Sequence, residues 1–255
     1  MIIAIIQARM GSTRLPEKVM MDLCGKPVLW HIIKRLKHAS SIDGILVATT
    51  REKIDDCIAQ RCTEWGVPVF RGSTEDVLAR YYDAFQWFLK NRGPVTSIVR
   101  ITADCPFLDP GIVDSVINDM TKGHYDYVSN VDPPTYPDGL DVEVFSPEAL
   151  EEAYTSTRLV SDREHVTPYI RNNPRFRKYN HRHPTDLSHI RLTLDTGKDF
   201  LLISRIYKAL YQPEKIFVLD DIMRLLHEQP SLLEINSGQT RNEGYRKSLQ
   251  HDHRV

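Results

Sequence analysis

Along the first hundred residues the apolar positions switch between two periods. Short apolar runs, IIAIIQA at 2–8, GILVAT at 44–49 and SIVRIT at 97–102, read as β-strands. Between the first two, Pro27 opens VLWHIIKRLKHA. There Val28, Leu29, Ile32, Ile33 and Leu36 share one face at the helical period, which predicts a crossover helix. Residues 74–92 repeat the logic, with Val77, Leu78, Tyr81, Tyr82, Phe85 and Leu89 as the stripe and Ser73 or Thr74 as the cap. The aromatics in that stripe read as core. Strands alternating with helices predict βαβ units, a parallel sheet and an α/β fold.

The pattern loosens after Pro110. A helix, IVDSVINDM, leads to YDYVSN at 125–130, and a loop with Pro133, Pro134, Pro137 and Gly139 follows. Long irregular loops tend to carry function, so 131–140 reads as an active-site loop. DVEVF at 141–145 alternates, placing Asp141 and Glu143 on one face and Val142 and Val144 on the other. Beyond it come a helix near 147–155, a second begun by SDREHVTPYIRNN, the alternating IRLTLDT at 190–196, and helices near 198–211 and 219–227. After Ser237 the chain is polar, with six Lys, Arg or His residues among its last fifteen, and reads as a frayed tail. The expected organisation is one domain over 1–237 and a polar tail over 238–255.

Composition sets limits. The 255 residues suffice for a sizeable core, and 33 Lys plus Arg against 34 Asp plus Glu leave no global field that would draw the chain to nucleic acid or membrane. Phosphate binding must therefore come from local clusters. Cys24, Cys57, Cys62 and Cys105 show no metal-ligand spacing and read as reduced, buried thiols. The apolar run at 2–6 is too short for a signal core or a membrane span, which points to a cytoplasmic protein without membrane insertion.

The most informative segment is IIQARMGSTRLPEK. A strand ends at Ala8, and the chain passes through Gly11 and Ser12 with Arg9, Arg14 and Lys18 close by. Glycine admits phosphate oxygens to the backbone, successive N–H groups form an anion nest, and guanidinium groups add charge-assisted bonds. A loop at the carboxyl end of a parallel strand also lies where such sheets bind ligands. It fits neither the Walker A nor the dinucleotide fingerprint. A surface turn with solvated cations fits the same residues.

This segment closely resembles the N-terminal signature of the acylneuraminate and Kdo cytidylyltransferase superfamily, especially its spore-coat polysaccharide branch. The resemblance continues through FRGSTEDVLARY at 70–81 (numbered from Phe70), RITADCPFLDP at 100–110, YPDGLDVEVFS at 136–146, SDREHVTPYI at 161–170 and IRLTLDTGKDF at 190–200. It implies a three-layer, Rossmann-like nucleotidyltransferase fold, glycosyltransferase-A-like, with a mostly parallel central sheet. It also implies that Ala8, Arg9, Gly11, Ser12, Arg14 and Lys18 surround the triphosphate of CTP, with Arg71 and Gly72 beside base and ribose. Lys18, Arg14 and Asp104 would be catalytic, and Asp104 and Asp195 would hold Mg²⁺. A hard cation takes one or two carboxylates plus phosphates and waters, which agrees.

For the acceptor, the resemblance implies a pocket formed by Asp138, Gly139, Asp141, Glu143, Arg163, Glu164 and His165. The strand carboxylates could instead order Arg163 or Arg191. Arg100 reads as a structural ion-pair partner, on the same strand face as Asp104. The implied reaction is transfer of CMP to a hydroxyl of a small acidic sugar or related acceptor, with pyrophosphate release, in surface polysaccharide or glycoconjugate biosynthesis. A homodimer follows from the resemblance alone. Gln7 and Met10 stand where many sialate and Kdo enzymes carry proline and a small residue, which leaves the acceptor open. A nucleotide-sugar-dependent glycosyltransferase is the enzymatic alternative, although Asp104, Cys105 and Pro106 replace its usual DxD pair. A non-catalytic nucleotide-binding pathway protein is the other.

Overall fold

A computed structural model describes residues 1–254. The strands in chain order are β1 (Ile2–Gln7), β2 (Asp22–Leu23), β3 (Lys26–Pro27), β4 (Gly44–Thr50), β5 (Val69–Gly72), β6 (Ser97–Thr102), β7 (Tyr127–Ser129), β8 (Glu143–Phe145) and β9 (Lys178–Asn180). The helices are α1 (Val28–Leu36), α2 (Asp56–Glu64), α3 (Val77–Arg92), α4 (Pro110–Gly123), α5 (Pro147–Ser156), α6 (Val160–His165), α7 (Pro168–Asn172), α8 (Gly197–Leu210), α9 (Leu219–Glu228) and α10 (Glu243–Gln250).

Seven strands form one sheet in the order β5-β4-β1-β6-β8-β7-β9. β5, β4, β1 and β6 run parallel, β8 is antiparallel to β6 and β7, and β9 is parallel to β7. Alternation along β1 feeds two cores. Ile3 and Ile5 pack with Leu78, Tyr81 and Phe85 of α3 and Ala149 of α5. Ala4 and Ile6 pack with Ile32 of α1, Val113 of α4, Leu202 of α8 and Ile222 of α9. Helices thus cover both faces, as strands apolar on both sides require. The result is the expected three-layer α/β architecture with a mostly parallel sheet.

Several local expectations change. IRLTLDT joins no strand ladder. It lies extended between two loops, with Asp138 donating to Ile190 at 2.9 Å, Leu192 to Asp138 at 2.7 Å and Leu194 to Asp104 at 2.8 Å. Its alternation reports burial of Leu192 and Leu194, both 0% exposed. The cap of α3 is Asp76, which accepts from Ala79, while Ser73 accepts from the Asp76 amide. Cys62 and Cys105 are buried, but Cys24 is exposed in the β2–β3 turn, where it and Gly25 both take positive φ. The stretch expected to fray instead contains α10 and folds back onto α6. Among the described residues no helix is long and apolar enough to cross a membrane.

Candidate active site

The parallel strands end at a cleft of about 510 Å³. The loop after β1 forms one end. Buried Asp55 pins it by accepting from the Met10 amide at 2.7 Å, and the Met10 carbonyl accepts from Ser12 and Glu17, each at 2.9 Å. Between these anchors the amides of Arg9, Gly11, Thr13 and Arg14 donate to no group among the described residues. Arg9 makes no ion pair among them either, so the loop presents unsatisfied donors and positive charge together.

Three segments distant in sequence meet beside it. Lys18 Nζ lies 2.9 Å from Asp104 Oδ2 and 2.9 Å from Asp195 Oδ1, and also donates to the Leu194 carbonyl at 2.9 Å. Asp104 follows β6, and the Leu194–Asp104 backbone bond brings Asp195 alongside it. Arg14 adds a 2.9 Å contact to Asp195. Burial by itself would raise the Asp104 pKa, but Lys18 together with hydrogen bonds from Thr102 and the Asp104 amide outweighs it, and the net value falls to about 2. Burial would likewise lower the Lys18 pKa, and the two carboxylates reverse that. The ammonium and the Asp104 carboxylate are therefore charged together at neutral pH.

No cluster of three or more His, Cys, Asp and Glu side chains suited to a metal occurs among the described residues. Two carboxylates nevertheless converge on a single cation, the Lys18 ammonium. That donor set, all oxygen and open to the cleft, fits Mg²⁺ binding completed by phosphate oxygens and water.

The opposite wall is acidic and mostly paired. Glu143 accepts from Tyr127 at 2.5 Å and Thr167 at 2.6 Å, and its ion pair is with Arg100, opposite it in the β6–β8 register. Burial would raise the Glu143 pKa, and Arg100, Arg171 and the Thr167 and Tyr127 hydroxyls together bring it below the usual range. Asp138 pairs with Arg191 at 2.9 Å, and Arg191 also holds Asp195 and Asp199. Asp141 pairs with Arg241 at 2.6 Å. Burial raises Asp141 to about 7 even so, with Arg241 opposing the rise and Asp138 and Glu143 adding to it. Neither carboxylate of 141–145 orders Arg163 or Arg191, and Arg100 pairs with Glu143 rather than Asp104.

His165 lies 3.0 Å from Ser248 Oγ, which donates to Glu164 at 2.6 Å. Burial lowers the His165 pKa to about 4, so the ring is neutral at physiological pH. This suits a positioning role.

Of the residues predicted from sequence, Ala8, Arg9, Ser12, Arg14, Lys18, Asp104, Asp138, Asp141, Glu143, Glu164, His165 and Asp195 line the cleft. Four predicted contacts lie elsewhere. Arg71 bonds Asp56 at 2.6 Å and the carbonyls of Thr50 and Glu52. Gly72 lies under Arg80, whose Cγ would stand 2.9 Å from a Cβ added there. Arg163 is turned to Asp76 at 2.6 Å. Gly139 packs on the Leu192–Thr193 backbone. Gly11, in the loop, is not among the lining residues. A local carboxylate captures each of the two arginines, and the two glycines serve backbone and side-chain clearance.

Unforeseen in the sequence were Arg80, Arg171 and the α10 residues Glu243, Gly244, Tyr245, Lys247 and Ser248, which line the cleft. For Arg80 a signal existed: a cation three residues after Val77, on the buried stripe of α3. Arg171 stood in a quoted motif without a distinguishing neighbour. α10 offers only Tyr245 and Leu249 as large apolar positions, and none of its residues is buried.

A family model described as cytidylyltransferase matches residues 3–236. An uncharacterised protein of Methanocaldococcus jannaschii is 39% identical over 251 residues, 96% of this chain and 98% of that one. The spore coat polysaccharide biosynthesis protein SpsF of Bacillus subtilis is 31% identical over 243 residues, 90% of this chain and 95% of that one. A solved structure of a cytidylyltransferase from Leptospira borgpetersenii superposes with a TM-score of 0.85 at 32% identity, over 94% of this chain and 98% of that one. The sheet and its flanking helices are therefore a nucleotidyltransferase fold. A match spanning most of the chain, on a fold whose strand ends bring the signature residues into one cleft, shows that the chain belongs to the cytidylyltransferase family.

Proposed function

We propose that the protein transfers CMP from CTP to a hydroxyl of a small acidic sugar or related acceptor, with Mg²⁺ as cofactor and pyrophosphate as the second product. The setting is surface polysaccharide or glycoconjugate biosynthesis. The observation that carries this reading is the meeting of Lys18, Asp104 and Asp195 beside a loop of unsatisfied amides and arginines.

In this reading the amides of Gly11 and Thr13, with Arg9 and Arg14, hold the triphosphate, and Ala8 and Ser12 shape its approach. Asp104 and Asp195 would hold Mg²⁺, which when bound neutralises charge on phosphate oxygens. The acceptor oxygen attacks the α-phosphorus in line, forming one P–O bond as the bond to pyrophosphate breaks. Lys18 balances the charge that pyrophosphate carries away. Asp141, whose pKa burial raises to about 7, stands on the acceptor side and takes the hydroxyl proton. Glu164 and His165 orient the acceptor.

Thermal melts with CTP, UTP, ATP and GTP, each with and without Mg²⁺, test this without knowledge of the acceptor. A ligand at about 100 times its Kd adds about 2.7 kcal/mol to the native state. Stabilisation selective for CTP and dependent on Mg²⁺ is expected. Indifference to all four overturns the proposal and directs the next trial to nucleotide diphosphate sugars.

A further inference from the structure

The family match ends at residue 236, yet the chain continues into a helix placed over the cleft. α10 buries none of its residues, so core packing does not explain its position. Polar contacts hold it and the chain beside it, and most are made to the acceptor side. Ser248 meets His165 and Glu164, Arg241 meets Asp141, and Asp252 accepts from the Ser161 hydroxyl at 2.6 Å. Among the cleft-lining residues this segment contributes are Tyr245 and Lys247.

What faces Tyr245 is a guanidinium without an ion-pair partner. Arg14 and Arg100 in the cleft are ion-paired, whereas Arg9, Arg80 and Arg171 form no ion pair among the described residues. Arg9 and Arg80 act on each other electrostatically and belong to the nucleotide end. Arg171, on α7, stands apart from them. Its Nε is buried without a hydrogen bond. The carboxylate that acts on it most strongly, Glu143, already accepts from Arg100, Tyr127 and Thr167. The guanidinium lies 5.6 Å from the Tyr245 ring centroid, which orients it by a cation–π contact. Lys247 pairs with Glu243 at 2.7 Å, but its side chain is 64% exposed, and so exposed a pair is weak enough to be exchanged for a ligand anion.

We infer that α10 completes the acceptor site of the reaction proposed above, with Arg171 and Lys247 binding a carboxylate or phosphate group of the acceptor and Tyr245 positioning Arg171. The inference rests on that reading for the word acceptor, but the anion subsite can be measured by itself. An arginine fork matches either oxyanion, and a second cation from another element makes the choice of acceptor depend on whether it is charged.

The test is calorimetric binding to the full chain with four probes. N-acetylneuraminate and glucuronate carry carboxylates, glucose 6-phosphate carries phosphate, and glucose is neutral. At least one anionic sugar should bind about tenfold or more tightly than glucose, the size of one charge-assisted contact. The carboxylate and phosphate arms show which group the subsite takes. Lys247→Ala and Tyr245→Ala should each remove most of that preference, Lys247→Arg and Tyr245→Phe should retain it, and CTP affinity should stay within about twofold throughout. No preference for an anionic sugar in the parent, or parent-like binding in both alanine variants, overturns the inference. CTP indifference together with an intact sugar preference would instead overturn the nucleotidyltransferase reading and leave the subsite standing.

Discussion

At Asp104 burial favours the neutral acid, while the Lys18 ammonium and the hydrogen bonds around the carboxylate favour the anion, and together they win. Asp104→Ala should therefore remove a charge that is present at every physiological pH. Pyrophosphate release is expected to fall by about 10²–10³ in kcat, the scale of losing one preorganised electrostatic contact, and to lose its response to Mg²⁺. Unchanged turnover would show that the carboxylate is not at the reacting phosphates. Asp141 gives the opposite case. Its proton leaves near pH 4 in the unfolded chain and at about 7 in the folded one, so the folded state holds more protons between those values. Stability should fall as pH rises through that window, and Asp141→Asn should flatten the fall and melt higher than the parent at pH 8. Melts across pH 4–8 decide it, a slope unaltered by the substitution being the adverse result. Side-chain positions were legible where a motif fixed both residue type and local backbone, as for Lys18, Asp104 and Asp195, which meet in the cleft. Arg71 and Arg163 were not, because a long side chain goes to whichever carboxylate the tertiary fold brings near, here Asp56 and Asp76.

Elements were readable wherever burial and hydrogen bonding followed one period. β1, β4, β6, α1, α8 and α9 lie close to where their apolar spacing put them. The segment at 190–196 alternates like a strand yet bonds to two loops, because alternation records which face is covered and not which backbone supplies the bonds. Its junction with the loop over 131–140 depends on Gly139, at φ 105°, where a Cβ would stand 2.5 Å from the Thr193 amide nitrogen. Gly139→Ala should cost about 1–3 kcal/mol of stability through strain and the clash. Urea denaturation measures that, and a loss below a few tenths of a kcal/mol would show that this junction yields freely.

At the scale of the molecule, the sheet and its two cores account for the chain up to the end of the family match, and α10 is an attachment held by polar contacts. A chain ending at Ser237 should keep its far-ultraviolet circular dichroism and a cooperative melt while its KM for the acceptor rises about tenfold or more. Collapse of the melt would place the domain boundary later than 237. The attachment was hidden in the sequence because two apolar positions, Tyr245 and Leu249, within an otherwise polar eight-residue helix leave too short a periodic trace. The lysine between two aspartates has a consequence of its own. In the proposed reaction a divalent ion would reach that position only by exchange with a tethered ammonium, and the displaced ammonium would need another anion to rest on. Nucleotide phosphates supply one, so nucleotide and ion should each raise the other's affinity by the same factor. Titrating Mg²⁺ with and without CTP measures that factor, and equal affinities in the two titrations would rule the exchange out. Where it holds, the tethered ammonium acts as a built-in competitor that keeps stray divalent ions from settling in the resting site.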